Sequence, residues 1–108
     1  MNAPATIEAT LIERGARYGV YVDHAKITQD LKAVMHGTAN WVTLAAHQKE
    51  TLEMIAHKIG RILNGDPNYH DSWHDIVGYT KLTADELLPK STPVQSKSVA
   101  KRLAVQRG

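Results

Sequence analysis

Apolar residues recur at helical spacing along most of this chain, and almost nowhere at the every-other-residue spacing of a strand. The clearest case is the segment from about Ala45 to Leu63. At about 100° per residue, Leu52, Ile55, Ala56, Ile59, Ile62 and Leu63 fall on one face, and Glu50, Glu53, His57 and Arg61 on the opposite one. Asn64-Gly65 supplies a stop, and Asp66-Pro67 blocks continuation. The one alternating run is Tyr18-Gly19-Val20-Tyr21-Val22.

Three more helices follow from the same reasoning. The first is expected from Thr6, a good N-cap, to about Arg14, with Ile7 and Leu11 on one face and Gly15 loosening its end. The second starts near Asp23 or His24 and stops at Gly37; its stripe is Ile27, Leu31, Val34 and Met35. Thr38 to Trp41 reads as a loop with Trp41 as an anchor into the core. The fourth runs from Asp71 or Ser72 to about Leu88, with Trp73, Ile76, Val77, Thr80, Ala84 and Leu87 as its apolar stripe and room for a kink near Thr83. The fold class is therefore all-α: a small bundle of about four helices over residues 1–88, followed by a basic, disordered tail over residues 89–108.

The chain has 108 residues, enough for one small domain with a marginal core. A homo-oligomer is expected, because short helices leave apolar faces that a partner can cover. Cysteine is absent, which excludes disulfides and thiolate metal sites and suits a reducing cytoplasm. Met1-Asn2-Ala3-Pro4 does not read as a signal peptide, and no segment approaches the roughly 20 apolar residues of a membrane span. Charge is divided unevenly. Residues 1–88 carry eight Lys and Arg against eleven Asp and Glu, a net −3; the tail carries Lys90, Lys97, Lys101, Arg102 and Arg107 with no acid, a net +5. A host protein or nucleic acid is the natural partner for such a tail, while the mildly acidic body does not read as a nucleic-acid-binding domain.

Several clusters are candidates for chemistry. Glu50-x-x-Glu53 and Asp71-x-x-x-Asp75 each place two carboxylates one turn apart. On adjacent antiparallel helices, these four are a candidate nest for Mg²⁺ or Mn²⁺, which prefer carboxylate oxygens and then take phosphate oxygens from a substrate. Lys58 and Arg61 stand ready to neutralise that phosphate. The competing reading is plain: polar residues opposite an apolar stripe ordinarily face water, and Ser72-x-x-Asp75 has the spacing of a helix cap. His70 and His74 at i, i+4, near Asp71, Asp75 and His57, form an alternative transition-metal set. Glu13-Arg14-Gly15-Ala16-Arg17-Tyr18-Gly19 offers two guanidiniums and a ring to grip phosphate and stack on a base; as a purely structural feature it is a helix end with an inward-packed Tyr. A nucleophile elbow and Gly-rich phosphate loops are absent from the sequence.

These residues carry a resemblance. Glu13 to Gly19, Leu52-Glu53-Met54-Ile55-x-x-Lys58-Ile59-x-Arg61-Ile62 and Asp71-Ser72-Trp73-x-Asp75-Ile76-x-Gly78-Tyr79 resemble a family of small uncharacterised phage and prophage proteins, and phage nucleotide-modification-associated helical domains. More distantly, the pattern is similar to the all-α nucleoside triphosphate pyrophosphohydrolases of the MazG and dimeric dUTPase kind. The likeness covers about residues 8–88. That superfamily shows Glu-x-x-Glu followed by Glu-x-x-Asp around Mg²⁺. Glu50, Glu53 and Asp75 match the pattern, but Ser72 stands where the third acid belongs, with Asp71 one residue earlier.

The resemblance implies a host-cytoplasmic, phage-type protein acting on a phosphorylated nucleotide. If it is an enzyme, it is a Mg²⁺-dependent pyrophosphohydrolase with Glu50, Glu53 and Asp75 as catalytic residues. Glu50, Glu53, Asp71 and Asp75 would hold the metal, and Lys58, Arg61, Arg14, Arg17 and Tyr18 the substrate. The alternatives are a protein from the same fold that sequesters a nucleotide without turnover, and a helical interaction protein that targets a host factor.

Overall fold

The computed structural model describes residues 6–89. Residues 90–108, which carry the tail's positive charge, lie outside the described residues. Among those described, the chain forms four α-helices and one short 3₁₀ turn, with no strand: α1 (Ile7–Tyr18), α2 (Tyr21–His36), the 3₁₀ turn (Trp41–Thr43), α3 (Ala46–Asn64) and α4 (His70–Glu86). None of these helices is long and apolar enough to cross a membrane.

The boundaries follow from local chemistry. Thr6 caps α1 by accepting the Ala9 amide at 3.0 Å. The helix runs through Gly15 instead of ending near Arg14. Gly19 does the stopping, with φ at 78° and its N–H donated to the Gly15 carbonyl at 2.8 Å. An i, i+4 ion pair, Arg17 to Glu13 at 2.7 Å, spans the last turn. The alternating run Tyr18 to Val22 is no strand: it is the end of α1, the Gly19 turn and the opening of α2. The same turn is held from outside, because the Asn64 side-chain amide donates to the carbonyls of Tyr18 and Val20 at 2.9 and 2.8 Å. Gln48 accepts the Ala45 amide at 2.8 Å at the start of α3. Ser72 lies inside α4, buried, and does not cap it. The helix continues unbroken through Thr83 to Glu86.

α3 is the central element. It packs against α2 on one side and α4 on the other, while α2 and α4 share at most a marginal contact, and α1 touches α2 and α3 at one end. The described chain is thus close to a single layer of three helices with α1 at its corner. The seams inside that layer are small and polar. Among the described residues, Ala56 is the one buried hydrophobic residue; the other side chains that bury are His24, Thr28, Thr51, Lys58 and Ser72. At the α2–α3 seam, side chains of α2 lie so close to the Gly60 backbone that a Cβ there would be 2.6 Å from Thr28 Oγ1 and 3.0 Å from the His24 ring. At the α3–α4 seam, Thr51 and Thr83 share a hydroxyl hydrogen bond of 2.8 Å.

The stripes expected to form the core do not close on one another. Val34 is 72% exposed, Leu63 67%, Val77 66%, and Leu52, Trp73 and Leu87 are exposed as well. Trp41 is half-buried and rests against the His36 ring, 4.5 Å between centroids, without reaching a deeper core.

Replacing Gly60 by Ala forces α2 and α3 apart. Overpacking of this kind costs about 1–3 kcal/mol and exceeds the ~1 kcal/mol that Ala gains in helix propensity. The expected result is a lower urea midpoint at unchanged slope; an unchanged or higher midpoint would contradict the packing.

Candidate functional site

A cavity of about 470 Å³ opens where α1, the Gly19 turn and α2 meet the C-terminal half of α3. Its walls include Leu11, Arg14 and Tyr18 from α1, Val20 beside the turn, Tyr21 and His24 from α2, and His57 and Arg61 from α3. None of its lining residues is an Asp or Glu. Helical spacing explains the α3 contribution: His57 and Arg61 are one turn apart on the polar side of that helix. The Gly19 turn brings Tyr18 and Tyr21 to the same rim.

The charged and aromatic groups here are interleaved. The Arg61 guanidinium lies over the Tyr18 ring, 4.1 Å from its centroid, and Arg14 sits 6.0 Å from the same centroid. Such stacking holds a guanidinium in place while leaving its N–H edge free to bind an anion. Tyr21 flanks His24 with ring centroids 6.2 Å apart.

Two imidazoles form the floor. His24 Nε2 and His57 Nδ1 are 3.3 Å apart, in a T-shaped pair with centroids 4.7 Å apart. An N···N hydrogen bond needs one donor and one acceptor, so the contact favours neutral rings. Burial pushes His57 down to about 4, with Arg61 and then His24 adding repulsion against its proton. His24 is lowered too, chiefly by burial; the nearby Gly60 carbonyl works in the opposite direction, and Arg61 works with burial. That carbonyl falls short of a proper hydrogen bond, and His24 Nδ1 is buried with no partner. The site at neutral pH is therefore two positive guanidiniums, two neutral imidazoles and two phenol rings.

The expected site residues divide into those this cavity gathers and those it does not. Arg14, Tyr18 and Arg61 line it. Arg17 turns away to Glu13 and to the Tyr69 hydroxyl, to which it donates at 3.1 Å. Lys58 is buried in the α3–α4 seam and pairs with Asp75 at 2.8 Å. That bond is the main reason the Asp75 carboxyl is held below its ordinary range. Asp75 thus ties two helices together and does not cap one. His24 and Tyr21 were not singled out from the sequence. The available signal was His24-x-x-x-Thr28, a polar pair at one-turn spacing on a helix whose other faces are accounted for.

The four carboxylates do not converge within the chain. Glu53 faces α2, 3.5 Å from His36 and 4.0 Å from Lys32. Asp75 faces Lys58, Asp71 accepts from the Tyr69 hydroxyl at 3.1 Å, and Glu50 is exposed on α3. Among the described residues, no three His, Asp or Glu side chains are grouped to hold a metal ion. His70 and His74 stack on each other, centroids 5.6 Å apart, in an exposed first turn of α4. As arranged here, the four carboxylates do not fit a Mg²⁺ nest.

Comparison with protein-family models, curated proteins and solved structures finds no match to the chain. The phage and pyrophosphohydrolase likeness rests on its motif residues alone.

The half-buried His57 ring shapes the acid response. The unfolded chain takes up a proton on His57 near pH 6.5, while the folded one refuses it until about 4. The unfolded state binds more protons in that window, so stability falls as pH drops from above 6.5 toward 4. Urea midpoints measured across that range are expected to decline, and His57→Gln is expected to flatten part of the decline. A wild-type midpoint that holds steady from pH 7 to 4.5 would contradict the burial.

Proposed function

We propose that the chain binds a phosphorylated nucleotide in the cavity between α1, α2 and α3. The observation that carries this is the lining: Arg14 and Arg61 with no acid beside them, and phenol rings interleaved with the guanidiniums. The guanidiniums supply paired N–H donors for phosphate oxygens. Tyr18 and Tyr21 supply flat surfaces on which a base can rest, and the neutral imidazoles of His24 and His57 supply hydrogen-bonding edges for base or sugar. The cavity lies within the size range of small-molecule sites.

The separate engagements of Glu53, Asp71 and Asp75 favour holding the nucleotide over cleaving it. Sequestration is thus the better-supported version of this reading, and Mg²⁺-dependent pyrophosphate hydrolysis the weaker one. Binding without turnover is in keeping with this chain's incomplete acidic set, in which Ser72 stands where the third acid of the pyrophosphohydrolase pattern belongs.

Titration calorimetry of the full chain with nucleoside mono-, di- and triphosphates, each with and without Mg²⁺, tests this reading. Binding is expected to persist without the metal and to proceed with no release of phosphate or pyrophosphate. Charged hydrogen bonds contribute about 1.5–3 kcal/mol, so Arg61→Ala is expected to weaken binding by roughly 10-fold or more. Failure of every nucleotide to bind would end the proposal. Metal-dependent product release would replace sequestration with catalysis.

A further inference from the structure

The three-helix layer has two open faces of opposite character. On α3, with α2 to one side and α4 to the other, Glu50, His57 and Arg61 occupy one open face; Leu52, Ile55, Ile59 and Leu63 occupy the other. α4 extends the apolar face with Trp73, Val77, Ala84 and Leu87. Between the two helices on that side runs a groove of about 330 Å³, lined by Leu44, Leu52, Ile55, Thr80, Ala84 and Leu87 among others.

We infer that a second copy of this chain covers the apolar face, making the folded unit a two-layer homodimer. A stable domain needs two packed layers around a shared apolar core. The described chain supplies one layer and a single buried hydrophobic residue. What is missing from its interior is present on its surface: Leu52 is 39% exposed, Trp73 52%, Leu87 61%, Val77 66% and Leu63 67%. Large apolar side chains at these exposures, with the half-buried ones between them, offer roughly 500–800 Å² per chain at about 150–250 Å² for a fully exposed large side chain. The upper end of that range reaches the ~800 Å² that each partner gives to a standard stable interface.

The occupant is identified by the face itself. Two identical copies meeting about a two-fold axis place like beside like. Leu52, Ile55, Ile59 and Leu63 recur at three- and four-residue steps, the spacing at which helices interdigitate, and none of them carries a charge that a duplicate would repel. A face required for the fold also needs a partner present whenever the chain is, and a second copy meets that condition. The nucleotide cavity includes His57 and Arg61 from the opposite face of α3, so covering this face leaves it open.

Sedimentation equilibrium on the full chain tests the inference, together with thermal melts over a hundredfold concentration range. The wild type is expected to show a dimer mass and a melting temperature that rises with concentration. Leu63→Glu changes a side chain that is two-thirds exposed in one chain, so it harms only a covered face; loss of the dimer, or of folding itself, is expected. Leu82→Glu, equally exposed but beside His74 and Tyr79 on the other side of α4, is expected to leave the dimer intact. A monomeric wild type at about 100 µM with a concentration-independent melt would overturn the inference. So would a dimer that tolerates Leu63→Glu and is broken by Leu82→Glu.

Discussion

The close approach of α2 to α3 at Gly60 is the constraint on which the rest of the structure depends. With no side chain there, α2 comes near enough for Thr28 and His24 to lie against the α3 backbone, and for His24 to meet the ring of His57. That contact buries His24 and half-buries His57, keeps both rings neutral and fixes the rotation of α3 about its axis. Once that rotation is set, Arg61 falls over Tyr18, Lys58 falls toward Asp75, and Leu52 and Leu63 turn outward. The cavity, the polar seams and the bare apolar face are consequences of one helix rotation.

Polar seams of this sort hold helices by geometry more than by buried area. A hydroxyl bond such as Thr51 to Thr83, or a half-buried pair such as Lys58 to Asp75, contributes little net stability but is costly to break, since its partners would then be left unsatisfied. Such seams specify which helix packs where. The driving force for folding has to come from apolar burial, which the described chain lacks internally and carries on its surface. Specification and stabilisation are thereby divided between the inside of the layer and its outer face.

Much of this was legible in the sequence, and the part that was not has a clear physical reason. Helical periodicity gave all four helices, because a stripe at 3.6-residue spacing means the same thing whatever covers it. It did not reveal what covers it. Leu52, Ile59 and Leu63 read as an inward face, yet within one chain Leu52 and Leu63 are exposed and Ile59 is only half-buried, because the layer is built through the flanks of α3. The carboxylates show the same limit. Glu50 and Glu53 are close in sequence and on the helix surface, but Glu53 leans to His36 and Lys32 while Asp75 is held by Lys58. Arg14 and Tyr18 were candidates because Arg and Tyr beside Gly suggest anion and ring recognition, and Arg61 because a metal-bound phosphate calls for a cation; the cavity gathers all three, without the carboxylates. His24 was missed because its importance comes from Gly60, 36 positions away, and no local pattern connects them.

The ring of His57 reports most directly on whether α2 lies on α3 as described. Its protonation can be followed residue by residue through its ring signals in an NMR pH titration of the full chain. The account predicts a midpoint near 4, with the His24 signals responding as the shared contact is lost. A midpoint close to 6.5 would place that ring in water, and the helix arrangement from which everything else follows would be wrong.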